Sequence, residues 1–306
     1  MVLKTVKVKD ILAYLGDDVL TVFGSVADRV IDNITDMARV NERSLDWINP
    51  DKEDKQTLAE QSKSKVLLVD SSIIYSAALR QQDKVLIVTS NPKYSLARIG
   101  NEFFVEKAIP SIHPTAIVSK DARIGANVYI GPYCVIGDAS IGDDCFIDSN
   151  VRIYDGVIIG ARCNVKAGAV LGGSGFGFER DKEGNQFRFP QIGGVVVGDD
   201  VEIGANTCID RGALSDTIIG DHTKINNLCH IAHNNRIGRN VTITGCVNIS
   251  GSSIVEDNVW IAPNVSLRGF VHLHRGCVVG TGAVVTKDIP ENETWVGNPA
   301  KKLEKR

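Results

Sequence analysis

The sequence has no uncharged apolar run of about 18 residues, the length that crosses a bilayer. Its opening, MVLKTVKVKDILAYLGDD, contains no apolar stretch long enough for a secretory signal. These absences point to a cytoplasmic protein with no membrane insertion. A basic excess is missing too: 34 Lys and Arg face 37 Asp and Glu, for a net charge of -3. That balance argues against nucleic acid, whose binding is driven by neutralising phosphates. The seven cysteines include no Cys-x-x-Cys pair, so zinc-ribbon spacing is absent and no metal is expected. The length, 306 residues, fits one large or two medium domains.

What the chain does have is a period of six. Aliphatic residues recur at Ile112, Val118, Ile124, Ile130 and Ile136. One residue is then dropped, and the series resumes at Ile141 and continues through Ile147, Ile153, Ile159, Val165 and Leu171. An irregular insert, residues 172–194, interrupts it. The period returns at Val197, Ile203 and Ile209, passes a short insert around Asp210–Asp216, and runs from Ile219 to Val285. Neither a helix (3.6) nor a plain strand (2) produces this period. A three-sided coil does: each side is a short strand and a corner, and three hexads of 18 residues close one turn. The aliphatic face of one coil is covered by the next, about 4.8 Å further on. Two residues before each aliphatic position stands a small side chain. Cys134, Cys145, Cys163, Cys229 and Cys277 fall there, which assigns them to packing as reduced thiols.

Residues 1–107 lack the period. KVLLVD (65–70) and KVLIVT (84–89) read as strands, and Asn91-Pro92 opens a helix. This is a small α/β domain, joined at the proline-flanked AIPSIHP to a coil domain, 108–287. A tail, 288–306, is expected to leave the coil and lie along its outside.

GGSGFGFE, IDRGALSDTIIG and INNLCHIAHNNRIG, at these separations, resemble the UDP-3-O-(3-hydroxyacyl)glucosamine N-acyltransferases of lipid A biosynthesis. The resemblance covers nearly the whole chain. It implies a mainly β protein: a left-handed parallel β-helix of hexapeptide repeats, assembled as a homotrimer with sites between subunits. It implies an N-terminal domain that binds uridine (or thymidine), with Trp47 and Asn49 as base contacts. It places the general base on the histidine of IAHN, His233, and the oxyanion-binding N–H at Gly251. The spacing agrees, since 251 is 233 plus 18, one coil on.

Asn234 is expected to orient the ring or a substrate group. Phe176 and Phe178 are expected on a loop reaching the neighbouring subunit's cleft, as sugar or acyl contacts. Asn226, Asn227, His230 and Phe270 complete the substrate-binding candidates. The sequence departs from the family at Phe270, where a second histidine is expected, at Asn226-Asn227 and at Lys52. Its ending, GTGAVVTKDIPENETWVGNPAKKL, instead resembles coenzyme A-dependent hexapeptide acetyltransferases, which puts Lys301 and Lys302 near a CoA phosphate.

The leading expectation is therefore an N-acyltransferase moving a short acyl group from acyl-CoA to a nucleotide-linked amino sugar, with no permanently bound cofactor. The alternative is a true lipid A enzyme using acyl carrier protein. From other classes come a zinc-dependent γ-type carbonic anhydrase-like protein, with His222, His230 and His233 as ligands, and a non-catalytic scaffold. The asparagine-rich break at 226–235 argues against a scaffold.

Overall fold

The computed structural model of the chain describes residues 5–304 and divides into two compact units, Met1–Lys107 and Ala108–Arg306. The first holds a five-stranded sheet. Val19–Phe23 runs antiparallel along one edge beside Val85–Thr89, and Val66–Val69, Ser44–Trp47 and Asn33–Ile34 follow in parallel. The two short apolar runs are its central strands and are buried throughout. Helix Pro92–Ile99 begins where Asn91-Pro92 predicts: the Asn91 side chain accepts from the Tyr94 N–H.

The second unit is the three-sided coil, a left-handed β-helix. Its strands, mostly two residues long, stack in parallel into three faces. In chain order the first face starts at Ser111–Ile112, the second at Ile117–Val118 and the third at Arg123–Ile124. The aliphatic residue of each hexad points inward. Ile243, Ile249 and Ile261 are fully buried, as are Cys134 and Cys277, and all seven thiols are free. Only at the N-terminal end, where no coil lies beneath, does the aliphatic residue reach the surface: Ile112 is 49% exposed.

Most corners hold one residue in the left-handed backbone region, and along the regular stretches these recur at a spacing of six. Asn234, Asn240, Asn258 and Asn264 all have φ between 53° and 61°. Asparagine is the side chain that tolerates this conformation best after glycine. Within 226–235 only Asn234 is such a residue; at the preceding corner Leu228 takes this conformation, so Asn226, Asn227 and Asn235 are not called for by corner geometry.

The three interruptions of the period share one location. The shortened corner at 137–139, the long insert and the insert around 210–216 all lie between a strand of the second face and one of the third. On either side of them every face keeps its register. The tail does not leave the coil at once. Thr294–Val296 extends the first face in parallel with Val278–Val279, and Lys301–Lys302 folds back on it. The strand edge at 278–279 would otherwise expose unpaired backbone groups.

Candidate active site

His233 lies at the corner between the second and third faces, between strands His230–Ile231 and Arg236–Ile237. It is half-buried. Its position in the ladder is fixed by its carbonyl, which accepts the Ser252 N–H at 3.0 Å. The following residue, Asn234, holds the ring. Asn234 Nδ2 donates to the carbonyl (3.1 Å) and hydroxyl (3.0 Å) of Ser215, and its Oδ1 accepts from the Ala213 N–H at 3.0 Å. With the amide oriented by these partners, Oδ1 faces His233 Nδ1 at 3.0 Å and accepts a hydrogen bond from the Nδ1–H. The Nδ1–H tautomer leaves Nε2 as a lone-pair acceptor, the state that a general base requires.

Nε2 lies directly over the next coil. A methyl group added at Gly251 would sit 2.7 Å from Cε1 and 2.8 Å from Nε2 of His233, so only glycine lets the ring settle onto the backbone here. The root of the long insert closes the other side. A methyl group at Gly175 would meet His233 Cβ at 2.9 Å and Cδ2 at 3.0 Å. The insert thus serves the histidine of its own chain. Beyond Gly175 it forms a hairpin of Phe178–Arg180 and Gln186–Arg188. Phe176 is 83% exposed and packs edge-on against Phe178, their centroids 5.0 Å apart, with Arg188 over the Phe178 ring.

Sequence reasoning missed the support beneath this corner. Asn235 is fully buried in the inward position that elsewhere holds a small side chain. It donates to the Ala232 carbonyl at 2.7 Å and accepts from the Ser253 N–H at 3.0 Å, joining the His233 coil to the Gly251 coil. Thr217 accepts from the Asn234 N–H at 2.9 Å. The available signal was a polar residue in an inward phase.

The chain matches known proteins along most of its length. The bacterial transferase hexapeptide profile (six repeats) matches residues 138–173 and 252–287. A UDP-3-O-acylglucosamine N-acyltransferase of Coxiella burnetii is 31% identical over 303 residues, covering 91% of this chain and 86% of that protein. The protein of that name from Pseudomonas syringae pv. tomato is 42% identical over 234 residues, 70% of this chain and 66% of its own. The chain belongs to the UDP-3-O-acylglucosamine N-acyltransferase family. It is an acyltransferase, and its solved structural neighbours are acyltransferases too. UDP-N-acetylglucosamine acyltransferases from Bacteroides fragilis and Campylobacter jejuni superpose with TM-scores of 0.57 and 0.58 at 27% and 25% identity. Each match covers 63% of this chain and 74% of the neighbour.

Within this family frame, the other candidate residues fall into three groups. Phe270, 82% exposed, stands one coil beyond Gly251, and its N–H donates to the Gly251 carbonyl at 3.2 Å. It holds φ 63°, an uncommon backbone for a bulky side chain. His230 lies on the strand entering the corner, where Nε2 meets Asp210 Oδ2 at 3.0 Å. That carboxylate raises the His230 pKa above its ordinary value, against an opposing effect of burial. Asn226 and Asn227, by contrast, sit at the preceding corner, between the first and second faces. There Asn226 Oδ1 accepts from the Asn227 N–H and Asn227 Oδ1 from the Ala205 N–H, each at 2.7 Å. They brace that corner and do not meet His233.

The three histidines of the zinc alternative do not converge within the chain. His222 is at the third corner near Asp200, His230 pairs with Asp210, and His233 with Asn234. Lys302 ion-pairs with Glu293 at 2.6 Å, and Lys301 is exposed on the same hairpin.

In the N-terminal unit, Trp47 and Asn49 line a cleft of about 480 Å³, with Met37, Asp46, Ile48 and Lys52 around them. Leu58, Gln61 and Ser62, at the end of a helix capped by an internal cation, form another part of its lining. Lys84 is buried, and Nζ donates to the carbonyls of Ala59 (2.8 Å), Glu60 (3.2 Å) and Ser62 (2.5 Å), where helix Lys55–Gln61 ends. Burial, helped by Lys65, holds the Lys84 pKa below its ordinary value.

Among the described residues no helix is long and apolar enough to cross a membrane.

Proposed function

We propose that the chain transfers an acyl group from a thioester to the amino group of a nucleotide-linked amino sugar, with His233 as base and the Gly251 N–H as oxyanion donor. One observation carries this reading: Asn234 fixes the tautomer of His233 so that Nε2 faces the exposed backbone of Gly251.

The chemistry follows from that pair. A thioester is already activated, so no covalent intermediate on the protein is needed. The sugar amine attacks the carbonyl carbon and forms the N–C bond, while the C=O π pair moves onto oxygen, held by the Gly251 N–H. His233 Nε2 takes the proton released from nitrogen. When the oxyanion collapses, the C–S bond breaks, and the thiolate leaves with the proton that His233 carried. Base catalysis of this kind is worth roughly 10² to 10⁴ in rate, and one oxyanion donor about 10² to 10³. Holding both substrates in place supplies a comparable or larger share.

For substrates, the relatives favour the lipid A alternative over the CoA-first reading taken from the tail. The acceptor we infer is a 3-O-acylated UDP-glucosamine, the donor a long-chain acyl carrier protein, and the working form a homotrimer. The Lys302–Glu293 pair leaves that lysine with a partner already, which weakens its assignment to a CoA phosphate. We assign the uracil ring to the Trp47 and Asn49 cleft, whose aromatic wall and amide suit a flat heterocycle with hydrogen-bonding edges.

Free thiol release tests both levels. Acyl carrier protein and acetyl-CoA are each offered with 3-O-acyl-UDP-glucosamine and with UDP- and dTDP-linked dideoxy amino sugars. Turnover of only the CoA and dideoxysugar pair would reverse the substrate assignment. His233→Ala is expected to lower kcat at least about 100-fold, and an unchanged rate would remove the mechanism.

A further inference from the structure

Several corners of this coil carry a side-chain cap. The first residue of a corner turns its N–H along the stack, and an Asp or Asn at the same place in the next coil accepts it. Ala126 donates to Asp143 at 2.7 Å, Ala161 to Asp199 at 2.9 Å, Ala205 to Asn227 at 2.7 Å and Arg239 to Asp257 at 2.8 Å. The edge that carries His233 begins in the same way: Asp138 donates to Asp155 at 2.8 Å and Gly194 to Asp216 at 2.7 Å. Asn234 Oδ1 then accepts the Ala213 N–H at 3.0 Å, and beyond it no such cap among the described residues reaches the Gly251 N–H.

The next three residues in this column are His233, Gly251 and Gly269. Their equivalence to the capped positions is fixed by the backbone. Ser252 N–H donates to the His233 carbonyl and Phe270 N–H to that of Gly251, as Asp144 N–H donates to Ala126 and Arg162 N–H to Asp143. The residue placed to cap the Gly251 N–H is therefore residue 269, which has no side chain.

Glycine at 269 is not required by conformation, since its φ lies outside the left-handed region. A methyl group there would meet the Gly251 carbonyl oxygen at 3.1 Å, where the backbone must give by a few tenths of an ångström, and Ser250 Cβ at 3.9 Å, an ordinary contact. At Gly251, in contrast, His233 itself occupies the space.

We propose that Gly269 is a positioning residue for acyl transfer: by lacking the capping side chain, it leaves the Gly251 N–H open beside His233 Nε2 for the thioester oxygen. This rests on the functional reading above. Caps of this kind satisfy backbone donors that otherwise cost stability; here the donor left without one lies in the coil that meets the His233 ring.

The test puts the cap back. Gly269→Asp and Gly269→Asn, charged and neutral caps, are compared with Gly269→Ala in the full chain. Thiol release gives kcat and KM, and amide hydrogen exchange reports on the Gly251 N–H. We expect both caps to slow exchange at Gly251 and to lower kcat by about 10² to 10³ with KM changed less than about threefold. The alanine variant should stay within about tenfold of the parent.

Unchanged exchange at Gly251 in both capped variants would overturn the proposal, and so would an alanine variant as slow as the capped ones. Slowed exchange with undiminished kcat would also overturn it. In that last case the reading of the site survives if His233→Ala still abolishes turnover and falls with it if His233→Ala does not.

Discussion

Around His233, single residues do work that their types alone do not announce. The expectation for IAHN placed the base at His233 and left open whether Asn234 orients its ring or a substrate group; Asn234 meets the ring, and what anchors it in turn is Ser215 and Ala213 from the short insert. That anchoring was hidden because a side-chain amide held from both ends depends on a fold that brings residue 215 beside residue 234. His230, three residues before the base, has its own carboxylate in Asp210. A base whose folded pKa is raised stabilises the fold fully below its ordinary value of 6.5, and the contribution fades as pH climbs through the folded value. Asp210→Asn should therefore lower the His230 pKa, read from its imidazole proton shift. It should also cost more stability at about pH 5 than at about pH 9. A pH-independent loss would mean that the pair acts by packing alone.

Among the elements, the faces were legible in the sequence and the corners were not. A strict six-residue period names every inward position from Ile130 to Val285, and those residues are the buried core. Burial and neighbouring coils set the size of each contribution. Ile243 lies mid-stack and fully buried, so Ile243→Ala is expected to cost about 2 to 5 kcal/mol by denaturant unfolding. Ile112, half-exposed on the end coil, should cost less than about 1 kcal/mol when cut to alanine. Equal losses at the two would contradict a stack stabilised by nearest neighbours. The corners escaped because a hexad count does not say which of three edges a residue occupies. Counting by thirds would have placed all the interruptions, and His233, on a single edge. It would also have separated Asn226 and Asn227 from the site.

At the scale of the whole molecule, the chain divides into two units of different construction. The N-terminal sheet was visible in two apolar runs and a helix-start signal. Its cleft was not, because the Lys84 cap that ends helix Lys55–Gln61 joins residues over 20 positions apart. If the cleft takes the nucleobase, adding UMP or UDP to the full chain should quench tryptophan fluorescence. Trp47→Phe should remove most of that signal, and Asn49→Ala should weaken binding about tenfold, the value of one good hydrogen bond. Quenching that survives in Trp47→Phe would move the nucleotide elsewhere.

The edge that gathers every irregularity has a consequence for descent. Because the register of each face passes undisturbed by a missing residue, a 23-residue hairpin and a short loop, lineages can lengthen, trim or exchange those segments while the interior stays as it was. The margin and the interior are thus separable: what is added at that edge does not have to be accommodated by the stacked aliphatic residues within.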